Sequence, residues 1–105
     1  MADRSTNTIL LVEDEALIAM SEKMSLERYG YAVTAVNTGE QAVEFMGTRS
    51  SVDLILMAID LGAGMDGTQA AEVILQEHDI PIVFLSSHTE PEVVEKTQKI
   101  PSYVY

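Results

Sequence analysis

Hydrophobic and polar positions alternate along this chain in blocks. Thr8 to Val12 is a continuous apolar run that breaks into Glu13-Asp14-Glu15. Val52 to Ala58 is the most apolar run, and it enters Ile59-Asp60-Leu61 and a loop holding Gly62, Gly64 and Gly67. Ile80 to Leu85 gives way to Ser86-Ser87. Runs of this kind are typical of strands covered on both faces, the habit of parallel sheets. Tyr31 to Val36, with β-branched Val33, Thr34 and Val36, is a further strand. Helical spacing fills the intervals. Glu15 to Tyr29 carries Leu17, Met20, Met24 and Tyr29, and Gly30 stops it. Thr38 opens a helix through Met46, with Gln41 three residues on as in a capping box. Thr68 to His78 sets Ala70, Ala71, Ile74 and Leu75 on its inner side. Glu90 to Lys99 reads as a short polar helix that Pro91 begins, and Ser102 to Tyr105 as a fifth strand.

Alternating strands and helices imply right-handed crossovers and one parallel sheet. The expected fold is α/β: a doubly wound five-stranded parallel sheet in the flavodoxin-like order 2-1-3-4-5. Its switch point lies between strands 1 and 3, and ligands in such sheets bind beside that point at the carboxyl ends. Those two strands end in Glu13-Asp14 and Ala58-Ile59-Asp60. Residues 1–105 read as a single, C-terminally truncated domain, with 1–7 a polar, disordered lead-in. A fifth helix is missing from this pattern. The sheet face it would cover is expected to be bare or partner-covered, which predicts self-association through that face.

Composition narrows the functional classes. Hydrophobic residues make up 47% of the 105 but aromatics only 6%, so aliphatic side chains and six Met fill the core. The net charge of -11, from 17 acidic and 6 basic residues, argues against direct nucleic-acid binding, which needs basic surface. It also disfavours docking on anionic membranes. The absence of Cys rules out disulfides and thiolate metal sites. No apolar run approaches about 18 residues, and Met1 to Asn7 has no signal-peptide core. A cytoplasmic protein is expected.

The candidate chemistry lies at the strand ends. Two adjacent carboxylates, Glu13 and Asp14, repel each other, and a hard divalent ion such as Mg²⁺ relieves that repulsion. Alternatively, Asp14 or Glu15 simply caps the first helix. Asp60, an acid at a second strand end, adds weight to a site. Ser86 and Ser87 also suit a turn or cap. His88 and His78 read as a solvated loop residue and a helix-end residue. Gly62, Gly64 and Gly67 form neither a dinucleotide nor a P-loop fingerprint, because the spacing is wrong and no Lys follows.

Taken together, these motifs resemble the receiver domain of two-component response regulators. Ile9 to Glu15 is similar to the receiver strand that delivers an acidic, Mg²⁺-binding pair. Asp53-Leu54-Ile55-Leu56-Met57-Ala58-Ile59-Asp60-Leu61 resembles the family run whose second Asp takes the phosphoryl group. Met65-Asp66-Gly67 matches the end of the following loop. Pro81 to Ser86 resembles the strand ending in the phosphoryl-contacting hydroxyl, here Ser86. Tyr103-Val104-Tyr105 resembles the run before the family's Lys, with Tyr103 in the place of the aromatic switch. The resemblance implies metal ligation by Glu13, by Asp14 and, through its backbone carbonyl, by Asp60. It also implies a histidine kinase or phosphotransfer protein as partner, and an output or sensory domain in the full-length protein.

Three departures bear on function. Ala58 stands at the phosphoacceptor position, and a methyl group cannot attack phosphorus. Its presence also removes a metal ligand, so Mg²⁺ binding is expected to weaken. The family's Lys would follow Tyr105. The loop Leu61-Gly62-Ala63-Gly64-Met65 is one residue longer than usual and lacks its Pro. The expected function is a phosphorylation-incompetent receiver domain with no enzymatic activity. The rest of the motif is intact, which favours a deliberate Asp-to-Ala change over long decay. Two alternatives stand beside this: a phosphate-independent interaction module (a pseudo-receiver), and a small Asp-dependent phosphohydrolase. The latter is disfavoured because the first strand lacks a D-x-D pair and no cap domain fits. Asp60 reads as a loop acid, since in-line attack demands a geometry that its place at the loop entry does not suit.

Overall fold

The computed structural model describes residues 7–48 and 51–85. Within them the order is β1 (Thr8–Val12), α1 (Ala16–Arg28), β2 (Ala32–Val36), α2 (Gly39–Gly47), β3 (Leu54–Ala58), α3 (Gly67–Leu75) and β4 (Ile82–Leu85). The strands form one parallel sheet ordered β2-β1-β3-β4, the order expected for the first four strands of the flavodoxin-like fold. The expected helix 90–99 and fifth strand 102–105 lie outside the described residues.

Strand alternation divides the core. Leu10 and Val12 of β1, Ile55 and Met57 of β3, and Ile82 and Phe84 of β4 pack with Ala42 and Met46 of α2 and Ala70, Ala71 and Ile74 of α3. Each of these six strand side chains is at most 1% exposed, so this layer is the main hydrophobic source of stability. On the other face Ile9, Leu11 and Val33 pack under Ala19 and Leu26 of α1, with Leu54, Leu56 and Leu85 only half-buried.

Helix α1 presents an unexpected face to the sheet. Ala19, Glu22, Lys23 and Leu26, spaced i, i+3, i+4, i+7, are its half-buried residues. The stripe that marks the helix in the sequence points outward: Leu17 is 81% exposed, Met20 59%, Met24 56% and Tyr29 82%. Among the described residues nothing covers it. Gly30 ends the helix at φ +99°, a conformation that favours glycine. Its N–H donates to Glu27 O (3.0 Å) and that of Tyr31 to Leu26 O (3.3 Å), the paired bonds of a Schellman motif.

The two remaining helices begin on side-chain caps. The Gln41 N–H donates to Thr38 Oγ1 (3.0 Å), as expected, but Gln41 Oε1 accepts from Asn37 N (2.9 Å) rather than from Thr38 N. At α3 the box is complete: Gln69 N donates to Asp66 Oδ1 and Asp66 N to Gln69 Oε1, both at 2.9 Å. No described helix is long and apolar enough to cross a membrane.

Candidate phosphoryl and metal site

The pairing of β1 with β3 sets the site. Val12 lies opposite Met57, so the next residues, Glu13 and Ala58, stand level at the carboxyl ends of the two central strands. Ala58 is 6% exposed, a methyl group closing the end of β3. Gly67 shows why a glycine starts α3: its N–H donates to Ile59 O (2.8 Å), and a Cβ there would run into the Ala58 carbonyl oxygen. The β3–α3 loop therefore returns hard against the strand end.

Glu13 is nearly buried, 9% exposed, and its Oε2 accepts from Glu15 N (3.1 Å). Glu15 occupies the N-cap of α1 but makes no side-chain cap, so the carboxylate serving this turn belongs to Glu13. Burial pushes Glu13 above its ordinary 4.5. The hydrogen bond from the Glu15 amide opposes this, while a hydrogen bond with Asp14 and repulsion from Glu22 and Asp14 add to it. Asp14 is exposed, and its Oδ2 lies over Gly62, 3.4 Å from where a Cβ would stand.

The structure thus brings Glu13, Asp14 and the position of Ala58 together. Asp60 is exposed at the loop entry. Among the described residues no three Asp, Glu or His side chains converge to hold a metal ion. Ser86 and Tyr103 lie outside the described residues. Sequence reasoning placed Asp66 in the loop motif but missed the capping box by which it anchors α3, and it missed Glu40 of α2, whose Oε2 accepts from Met65 N in the β3–α3 loop (3.0 Å). The D-x-x-Q spacing of Asp66 and Gln69 is a readable signal for the first; no local signal marks the second, a contact across 25 positions.

The family profile described as response regulator receiver domain matches residues 9–101. The chain belongs to this family. Such receiver domains are modules of two-component signalling, and this one has their flavodoxin-like fold. The phyllosphere-induced regulator PhyR of Methylorubrum extorquens is 34% identical over 85% of the chain, which spans 33% of that protein. The N-terminal domain of a response regulator/sensory box/GGDEF protein from Carboxydothermus hydrogenoformans superposes with a TM-score of 0.87 at 47% identity. That match covers 94% of this chain and 79% of the other. The receiver domain of a sensor histidine kinase from Pseudomonas aeruginosa has a magnesium ion coordinated in its active-site cleft. It superposes with a TM-score of 0.86 at 30% identity over 96% of this chain and 82% of its own.

Proposed function

We propose that this receiver domain does not accept a phosphoryl group and that it acts in two-component signalling through protein contacts alone. The observation that carries the reading is the buried methyl of Ala58, level with Glu13, at the strand end where a nucleophile would have to stand. Phosphoryl transfer to a protein needs a nucleophile held in line, and a methyl group offers no lone pair. Asp60, exposed at the loop entry, is no substitute.

The donor set fits Mg²⁺ in part. Glu13 and Asp14 are adjacent oxygen donors whose repulsion a divalent ion relieves, and Mg²⁺ commonly binds through one or two carboxylates while keeping waters. These two residues would hold it, with the Asp60 backbone carbonyl as a further ligand. Ala58 contributes no oxygen, so affinity is weak. When bound, the ion supplies neutralising charge for phosphoryl oxygens. Ser86 and Tyr103 keep the roles of phosphoryl contact and aromatic switch that the family pattern gives them.

The partners we infer are a histidine kinase or phosphotransfer protein and an output or sensory domain of the same polypeptide. A second copy of the chain on the half-covered sheet face is a further partner. The outward stripe of Leu17, Met20 and Met24 favours a module that works by apolar contact. Magnesium-dependent labelling tests the core of this reading. Incubated with a small-molecule phosphodonor and Mg²⁺, the chain is expected to keep its intact mass, while Ala58→Asp gains a labile phosphoryl group. Phosphorylation of the unaltered chain would overturn the proposal and place the acceptor on another carboxylate.

A further inference from the structure

The β3–α3 loop runs between two carboxylates of different parts of the chain, one that lies close over it and one that bonds to it. On one side Asp14 Oδ2 lies over Gly62. On the other, Glu40 in the first turn of α2 receives the Met65 N–H at 3.0 Å. The fit around Glu40 is close. A Cβ on Gly64 would stand 2.9 Å from Glu40 Oε2, and Gly64 adopts φ +87°, so that loop position takes glycine on both counts. A Cβ on Gly39, the residue before Glu40, would lie 2.9 Å from Met65 O and 3.3 Å from Ala70 Cβ. The first turn of α2 is therefore a seat shaped to the loop, and Glu40 is the bond that fastens it. In agreement, the Met65 N–H, followed by the N–H of Glu40 itself, holds the Glu40 carboxyl below its ordinary value.

We infer that Glu40 is a positioning residue for the acidic site: by fastening Met65 it fixes the loop against Asp14 and so couples α2 to the carboxyl ends of β1 and β3. Among the described residues Glu40 bonds to the loop and not to Glu13, Asp14 or Asp60, so the loop carries its effect. Met65 packs against the core, but residues 62–64 between it and Leu61 are exposed and two of them, Gly62 and Gly64, have positive φ, so side-chain packing holds little of that stretch. The bearing of this coupling on metal affinity rests on the proposed metal role of Glu13 and Asp14; the coupling itself does not.

Amide hydrogen exchange on the full chain without metal tests the inference, with Glu40→Ala, Glu40→Gln and Glu44→Ala compared. Alanine removes the acceptor, glutamine keeps a carbonyl oxygen at that position, and Glu44 is an exposed residue one turn further along the same helix. Loss of a hydrogen bond to a charged acceptor is expected to speed exchange at Gly64 and Met65 about tenfold in Glu40→Ala. The Asp14 amide resonance should move in the same variant. Glu40→Gln should recover most of both effects, and Glu44→Ala should show neither. Unchanged exchange at Met65, or faster exchange with an unmoved Asp14 resonance, would overturn the coupling. A parallel Mn²⁺ titration separates the two readings. Weaker binding in Glu40→Ala supports the coupling at the metal site. A chain that binds no Mn²⁺ at all counts against the metal reading and leaves the exchange result to decide the coupling.

Discussion

Glu22 shows how one residue can oppose the packing around it. It sits on the half-buried side of α1, and its Oε1 is buried without a hydrogen-bond partner. Burial alone pushes its carboxyl above 4.5. A raised folded-state value means that the folded protein holds the proton more tightly than the unfolded chain does. The contribution of Glu22 to stability therefore falls as pH rises from 4.5 through the folded value, and its cost is fully present at neutral pH. Glu22→Gln removes the charge and keeps the shape. It is expected to stabilise the fold by about 0.5–1 kcal/mol at neutral pH, a figure reduced from the full cost of an unpaired buried group because the side chain is partly solvated. The gain should vanish below pH 4.5, and urea unfolding on either side of that value checks both halves. Ala58 opposes nothing. Its methyl completes a buried strand end.

At the scale of elements, the caps decide where helices begin. Asp66→Ala removes the Oδ1 that accepts from the Gln69 N–H and from the buried Thr68 hydroxyl (2.7 Å), leaving only the backbone half of the α3 box. A loss of about 1 kcal/mol is expected in thermal or urea unfolding, with α3 fraying at its first turn in amide exchange. How much of this was legible in sequence differs by element. The strands were, because β1, β3 and β4 are apolar at nearly every position. The caps at Thr38 and the stop at Gly30 were, because each is a local bond with a fixed spacing. The ends of strands were less so: β3 starts at Leu54, not Val52, because Asp53 turns its carboxylate to Thr8 N (2.7 Å) and closes the amino end of the sheet. The orientation of α1 was not legible. Leu17, Met20 and Met24 and the pair Ala19 and Leu26 are both helical stripes, and the weaker one packs on Ile9, Leu11 and Val33. Local spacing cannot choose between them; the choice depends on what else covers the sheet. That Glu13 and Ala58 end neighbouring strands was legible from the expected strand order; that they stand level was not, since it depends on β1–β3 register.

Among the described residues, two apolar surfaces lie on the same side of the sheet: the α1 stripe and the half-buried Leu54, Leu56 and Leu85. The opposite face is closed by α2 and α3. Contiguous apolar surface drives association, while a net charge of -11 opposes the approach of a second copy. The two effects respond differently to salt. Apolar burial is insensitive to moderate ionic strength, whereas repulsion between exposed charges fades once the screening length falls below their separation, roughly 10 Å at 0.1 M. Self-association through this face is therefore expected to strengthen with salt. Sedimentation velocity should show a single slow species in dilute, low-salt solution and a faster one as protein and salt rise together. Met24→Glu adds a charge to the outward stripe and leaves the core untouched; it should suppress the faster species without lowering stability. If Met24→Glu unfolds the chain instead, α1 does not face outward and the orientation described here is wrong. If the unaltered chain stays monomeric under every condition, self-association through this face is refuted.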